Sequence, residues 1–183
     1  TEAEVALAAR ALIRAGIPPL ERDRRRRRGE VPLVIAGGPL TYADPSPMAA
    51  LVDVILCGEA EDSLSQLLDL ILDTGDDVEA LLGAAATLPG AVVPAAVDHV
   101  SRVAPVEADR RWLPARSTIV TAESELPRMF LVEPVRGCPR RCGFCVMSTG
   151  KVRVVPTEEV LAAVPESVEK VGLVGSAIGH HPH

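Results

Sequence analysis

Three of the chain's four cysteines fall in the stretch RGCPRRCGFCVMS, Arg136 to Ser148, spaced Cys138-x3-Cys142-x2-Cys145. Thiolates grouped this tightly can all reach one centre a few ångströms across. A structural zinc site takes four protein ligands, and so does a closed four-cysteine iron–sulfur cluster. No fourth ligand is obvious here. Cys57 is far upstream, His99 stands alone, and His180, His181 and His183 close the chain. Three ligands alone would leave one iron of a four-iron cluster open to a small molecule. The spacing therefore admits three readings: a zinc site, a plain electron-transfer cluster, or a cluster with an open iron. Cys57, flanked by apolar residues, reads as a small core residue, and His99 reads as structural. The run His180-His181-Pro182-His183 reads as loop residues rather than ligands, and Pro182 argues against a cloning tag.

The other chemically loaded stretch is ERDRRRRRGE, with Arg24 to Arg28 unbroken. Like charges repel, and no aromatic residue is interleaved. The run is expected to be a solvated, mobile connection and not a nucleic-acid contact. The net charge of −6 points the same way for the whole chain. No apolar run approaches the roughly 18 residues of a membrane span, and the acidic N-terminus has no signal-peptide pattern. Clustered thiols without a disulfide framework suit a reducing compartment, so a cytoplasmic location is expected.

These residues need elements to position them. Apolar residues make up 48% of the chain but aromatics only 2%, so the core must be built from Ala, Val and Leu. That suits buried strands under helices. Residues 3–15 have helical period and stop at Gly16 and Pro18–Pro19. Val31–Pro39 reads as a buried strand feeding a Gly-Gly loop, PMAALVD as a short helix, and Val54–Asp62 as a second strand with a Gly turn. Ser63–Asp73 reads as an amphipathic helix capped by Ser63. This strand–helix rhythm predicts parallel pairing. Pro89, Pro94, Pro105 and Pro114 break the pattern from Ala84 to about Arg116. STIVT and MFLVEPV read as strands, the second running into the cysteine loop. TEEVLAAVPESVEKV reads as a helix capped by Thr157 and interrupted by Pro165, and VGLVGSAIG as a further strand ending in Gly. The domain organisation read from this is residues 1–83, a linker with short extended pieces over 84–125, and residues 126–183.

The C-x3-C-x2-C spacing, Phe144 just before the last cysteine, the lead-in FLVEPVRG and Pro139 together resemble the radical S-adenosylmethionine superfamily. The lead-in is especially similar to members with an N-terminal cobalamin-binding domain. The resemblance implies an α/β fold: the C-terminal part of a Rossmann-like sheet, then the first βα units of a partial TIM-type barrel. It also implies that Cys138, Cys142 and Cys145 hold a 4Fe-4S cluster whose fourth iron is chelated by S-adenosylmethionine. Reductive cleavage would then give methionine and a 5′-deoxyadenosyl radical. Phe144 would lie near the adenine. Gly175 and Ser176 would contact the methionine amino group, although the Gly-Gly-Glu form common in the family is absent. Gly37, Gly38 and Gly58 would lie along a cobalamin tail; no Asp-x-His-x-x-Gly segment supplies a lower cobalt ligand.

The expected reaction is methyl transfer to an unactivated carbon or another radical reaction on an unknown substrate. The expected partner is an electron donor such as flavodoxin or ferredoxin, with no membrane and no nucleic acid. The alternatives are a methylthiotransferase, which would need further N-terminal cysteines, and a non-catalytic iron–sulfur or zinc module. The chain is expected to be an internal fragment of a longer enzyme, able to bind a cluster but not to turn over substrate alone.

Overall fold

The computed structural model describes residues 2–146 and 152–182, in two compact units, Thr1–Ala108 and Asp109–His183. It is an α/β protein with small parallel and mixed sheets.

The first unit opens with helix α1, Glu2–Arg14. Gly16, at φ +74°, ends it: Gly16 N–H donates to Ile13 O and Ile17 N–H to Leu12 O. This left-handed cap satisfies carbonyls that the last turn would otherwise leave unpaired. Helix α2, Glu21–Arg25, follows the Pro18–Pro19 pair. Strand β1, Ile35–Ala36, pairs in parallel with β2, Val54–Leu56, in the register Ile35↔Val54 and Ala36↔Ile55. Only a 3₁₀ turn, Ser46–Met48, forms where a short helix is expected between them.

Successive residues of β2 face opposite sides of the sheet, and both sides are covered. Val54 and Leu56 pack with Leu67, Leu81, Leu82, Ala85 and Val93. Ile55 and Cys57 pack with Leu51, Val52, Val92 and Val100. Helices α3, Ala60–Thr74, and α4, Val78–Ala85, supply the first of these layers. Helix α3 begins three residues earlier than expected. Its N-cap is Glu59, and Ser63 lies inside the helix, its Oγ donating to Glu59 O.

Two further expectations change in this unit. The stretch after Ala84 supplies core: β3, Ala91–Val92, pairs antiparallel with β2, and Val92, Val93, Val100 and Ala108 are buried. The arginine run is not wholly solvated either. Arg24 is 2% exposed and forms a buried ion pair with Asp53, Nη2 to Oδ2 at 2.9 Å. Its Nε donates to Asp53 Oδ2, Nη1 to Pro18 O and Pro19 O, and Nη2 to Leu51 O. Each of the three guanidinium nitrogens therefore has an acceptor. Asp53 Oδ2 also accepts from Val34 N at 2.8 Å, so one ion pair ties α2 to the start of both strands.

The second unit begins at a short 3₁₀ turn, Arg110–Trp112, where the Arg111 guanidinium lies 5.5 Å from the Trp112 ring centre. STIVT forms no strand; Ile119 is largely exposed, although Ser117 N–H donates to Leu131 O, Leu131 N–H to Ser117 Oγ and Arg128 N–H to Thr121 O. Strand β4, Met129–Val132, pairs in parallel with β7, Lys170–Leu173. Strand β5, Val135–Arg136, pairs antiparallel with β6, Arg153–Val154. Helix α5, Thr157–Ala162, joins β6 to β7 and ends before Pro165. Its N-cap is Pro156, so Thr157 is its first helical residue and not the cap. Leu113, Phe130, Val132, Val155 and Val160 form this unit's core.

Candidate functional site

The cysteine loop leaves β5 and returns in β6, so its two ends are held together. Val135 opposes Val154, Arg136 opposes Arg153, and Val155 N–H donates to Pro134 O at 2.9 Å. Val135 and Val155 are fully buried, which gives this neck an apolar base. Gly137 turns the chain out of β5 at φ +91°, a conformation that favours glycine. Cys138, Cys142 and Cys145 follow, each half-buried and none in a disulfide. Cys145 N–H donates to Cys142 O at 3.1 Å, closing a turn at whose tip Phe144 is 92% exposed.

Among the described residues no three His, Cys, Asp or Glu side chains converge at metal-ligating distance. The thiols share one loop without forming a closed cage. The donor set itself, three cysteine sulfurs on one loop, fits a cluster that keeps one iron open. Arg136, Arg140, Arg141 and Arg153 surround these thiols in sequence, and no acidic residue lies between 136 and 153. Glu133 holds the Arg136 side chain at the neck, accepting from Nε at 2.7 Å.

The expected S-adenosylmethionine residues lie beside this neck. Val174 N–H donates to Val132 O, extending the β4–β7 pairing by one step. Gly175 then passes the start of the loop so closely that a Cβ there would stand 2.6 Å from Val135 O. Ser176 is exposed. The parallel β4–β7 pair thus brings Gly175 to the strand that launches the cysteines. His181 ties the same region down, a ring nitrogen lying 2.9 Å from Val155 O. His180 is exposed in a 3₁₀ turn, and His183 lies outside the described residues.

In the first unit Gly37 and Gly38 follow β1, and Gly58 follows β2. Gly38 has φ +87° and open space where a Cβ would go. Gly58, at φ +105°, has none: a Cβ there would stand 2.3 Å from Val106 O and 2.4 Å from Val106 N. Thr41, which sequence reasoning passed over, joins the two turns. Its hydroxyl donates to Gly38 O at 2.7 Å and accepts from Gly58 N at 3.0 Å. A cobalamin tail therefore does not fit at Gly58, where the chain's own backbone already makes the close approach. Cys57 is buried, and burial pushes its thiol pKa up.

Fold and site together define an α/β protein with a thiol-bearing loop pinned beside a parallel strand pair. The chain belongs to the family described as radical SAM proteins, N-terminal, which it matches over residues 1–94. That match ends well before Cys138, so it stands independently of the cysteine spacing. The chain is also 26% identical, over 165 residues, to an uncharacterized protein, MJ0966, of Methanocaldococcus jannaschii. The alignment covers 86% of this chain and 34% of that protein, so the chain spans about a third of its relative's length. No solved structure matches.

Proposed function

We propose that this chain carries the cluster loop of an enzyme that cleaves S-adenosylmethionine reductively. One observation carries the reading: three half-buried thiols, none in a disulfide, sit on a loop whose neck is packed against Gly175. Cys138, Cys142 and Cys145 would hold the irons of a 4Fe-4S cluster. When bound, that cluster supplies the electron that breaks the sulfonium carbon–sulfur bond, and its open iron takes the amino and carboxylate groups of the methionine moiety. Gly175 lets the backbone approach the methionine end, Ser176 offers it a hydroxyl, and Phe144 provides an apolar face for the adenine. The all-basic loop favours an electron donor with an acidic face, such as flavodoxin or ferredoxin. In this reading β4, α5 and β7 are the first units of a partial TIM-type barrel, the β1–β2 pair belongs to a Rossmann-like sheet, and the enzyme is cytoplasmic. The substrate is of unknown class, and no step is routed through cobalamin.

A methylthiotransferase would need more N-terminal cysteines than Cys57, which is buried. A zinc module would need a fourth ligand, which substituting Cys57 and each histidine in turn would reveal. Anaerobic cluster reconstitution, followed by electron paramagnetic resonance with and without S-adenosylmethionine, tests the proposal. The spectrum is expected to change when the ligand is added. Cys138→Ser, Cys142→Ser or Cys145→Ser should each abolish the signal, and Cys57→Ser should leave it intact. A spectrum indifferent to S-adenosylmethionine would sink the proposal.

A further inference from the structure

We propose that residues 105–108 close the carboxyl end of the first unit's sheet. The unit is then a scaffold and not a carrier of cobalamin or another phosphate-tailed cofactor. In open α/β sheets such ligands bind in the crevice outside the carboxyl ends of the strands, where glycine turns and helix N-termini supply free N–H groups. Beyond β2 that crevice is filled by chain.

Val106 runs parallel to Gly58 as a bridge. Its N–H donates to Cys57 O at 3.0 Å, and its carbonyl accepts from Glu59 N at 2.9 Å. The Glu59 carboxylate, through Oε2, accepts from Ala108 N at 2.9 Å. Gly90 makes room from the other side. At φ +72°, a Cβ there would stand 2.5 Å from Val106 Cγ2 and 2.9 Å from Cys57 O. A side chain at either glycine would therefore meet Val106.

The donors that would hold a phosphate are also taken. Gly58 N–H goes to Thr41 Oγ1, and Glu59 N–H goes to Val106 O. Glu59, Glu61 and Asp62 place negative charge at the N-terminus of α3, where it favours the helix dipole and repels an anion.

This inference is independent of the cluster reading, because its readouts involve neither iron nor S-adenosylmethionine. Equilibrium dialysis of the 183-residue chain against hydroxocobalamin is expected to show no stoichiometric retention. Native-state hydrogen exchange should find the amides of Glu59, Val106 and Ala108 protected as strongly as that of Ile55. Stoichiometric retention of hydroxocobalamin would overturn the proposal, and so would exchange at those three amides as fast as in an exposed loop. A double-mutant cycle tests the packing. Gly90→Ala should lower Tm, and should lower it less in a Val106→Gly background. Equal losses in both backgrounds would remove the claim that a side chain at Gly90 meets Val106.

Discussion

At the scale of single residues, the four cysteines separate into two kinds. Cys57 is 2% exposed within the sheet's core, whereas the other three lie half-exposed on the loop. Iodoacetamide should modify Cys138, Cys142 and Cys145 in the native chain and reach Cys57 only on unfolding; mass spectrometry would read the difference. Burial also gives Cys57 a pH signature. Its folded pKa lies above its unfolded value, so the native state keeps the proton longer. The associated stability is complete below the unfolded thiol pKa of about 8.5 and is lost as pH rises through the folded one. Denaturation midpoints measured upward from neutral pH should therefore fall, and less so in Cys57→Ala than in the parent. Gly175→Ala belongs to the same scale. Its Cβ would collide with Val135 O, so we expect a weakened effect of S-adenosylmethionine on the cluster spectrum, with all three cysteines still present.

At the scale of elements, α1, α3 and α5 were legible because their signals are local, whereas α2 and α4 were not read as helices. Period and a Gly stop marked α1, and Thr157 marked the start of α5 to within one residue. The cap of α4 was local but was passed over in the sequence: the Asp77 side chain accepts from Ala80 N at 3.0 Å. Asp77→Ala should cost about 1 kcal/mol in a urea titration. The other features that were missed depend on distant partners. Arg24 looks like its four neighbours in sequence, and Asp53, 29 positions away, draws it inside together with the carbonyls of Pro18, Pro19 and Leu51. Arg24→Ala would strand a buried carboxylate and should cost about 3–5 kcal/mol, against almost nothing for Arg26→Ala on the surface. Likewise, nothing near Val106 in the sequence announces that it will lie beside Gly58. The candidate site was legible for the opposite reason, since its three thiols stand in one short loop. What the spacing could not show is that β5 and β6 pin that loop, because their partners lie on either side of it.

At the scale of the whole molecule, the family match covers residues 1–94 of the first unit, while the proposed cluster chemistry rests on the second. The two should therefore be tested separately. In the second unit β7 pairs with β4 on one edge, and Val171 and Leu173 are substantially exposed. Such an edge invites strand addition. Sedimentation velocity should show concentration-dependent association of the chain, reduced by Leu173→Lys; an unchanged monomer across the series would count against an open edge. A last consequence follows from Trp112, the chain's one tryptophan. The single tyrosine, Tyr42, lies in the first unit, so emission excited selectively through tryptophan reports on the second unit. Far-ultraviolet dichroism instead follows α1, α3 and α4, which lie in the first. Two optical signals from one sample thus watch different parts of the molecule. Whether their melting curves superimpose is a direct measure of how cooperatively the two units unfold.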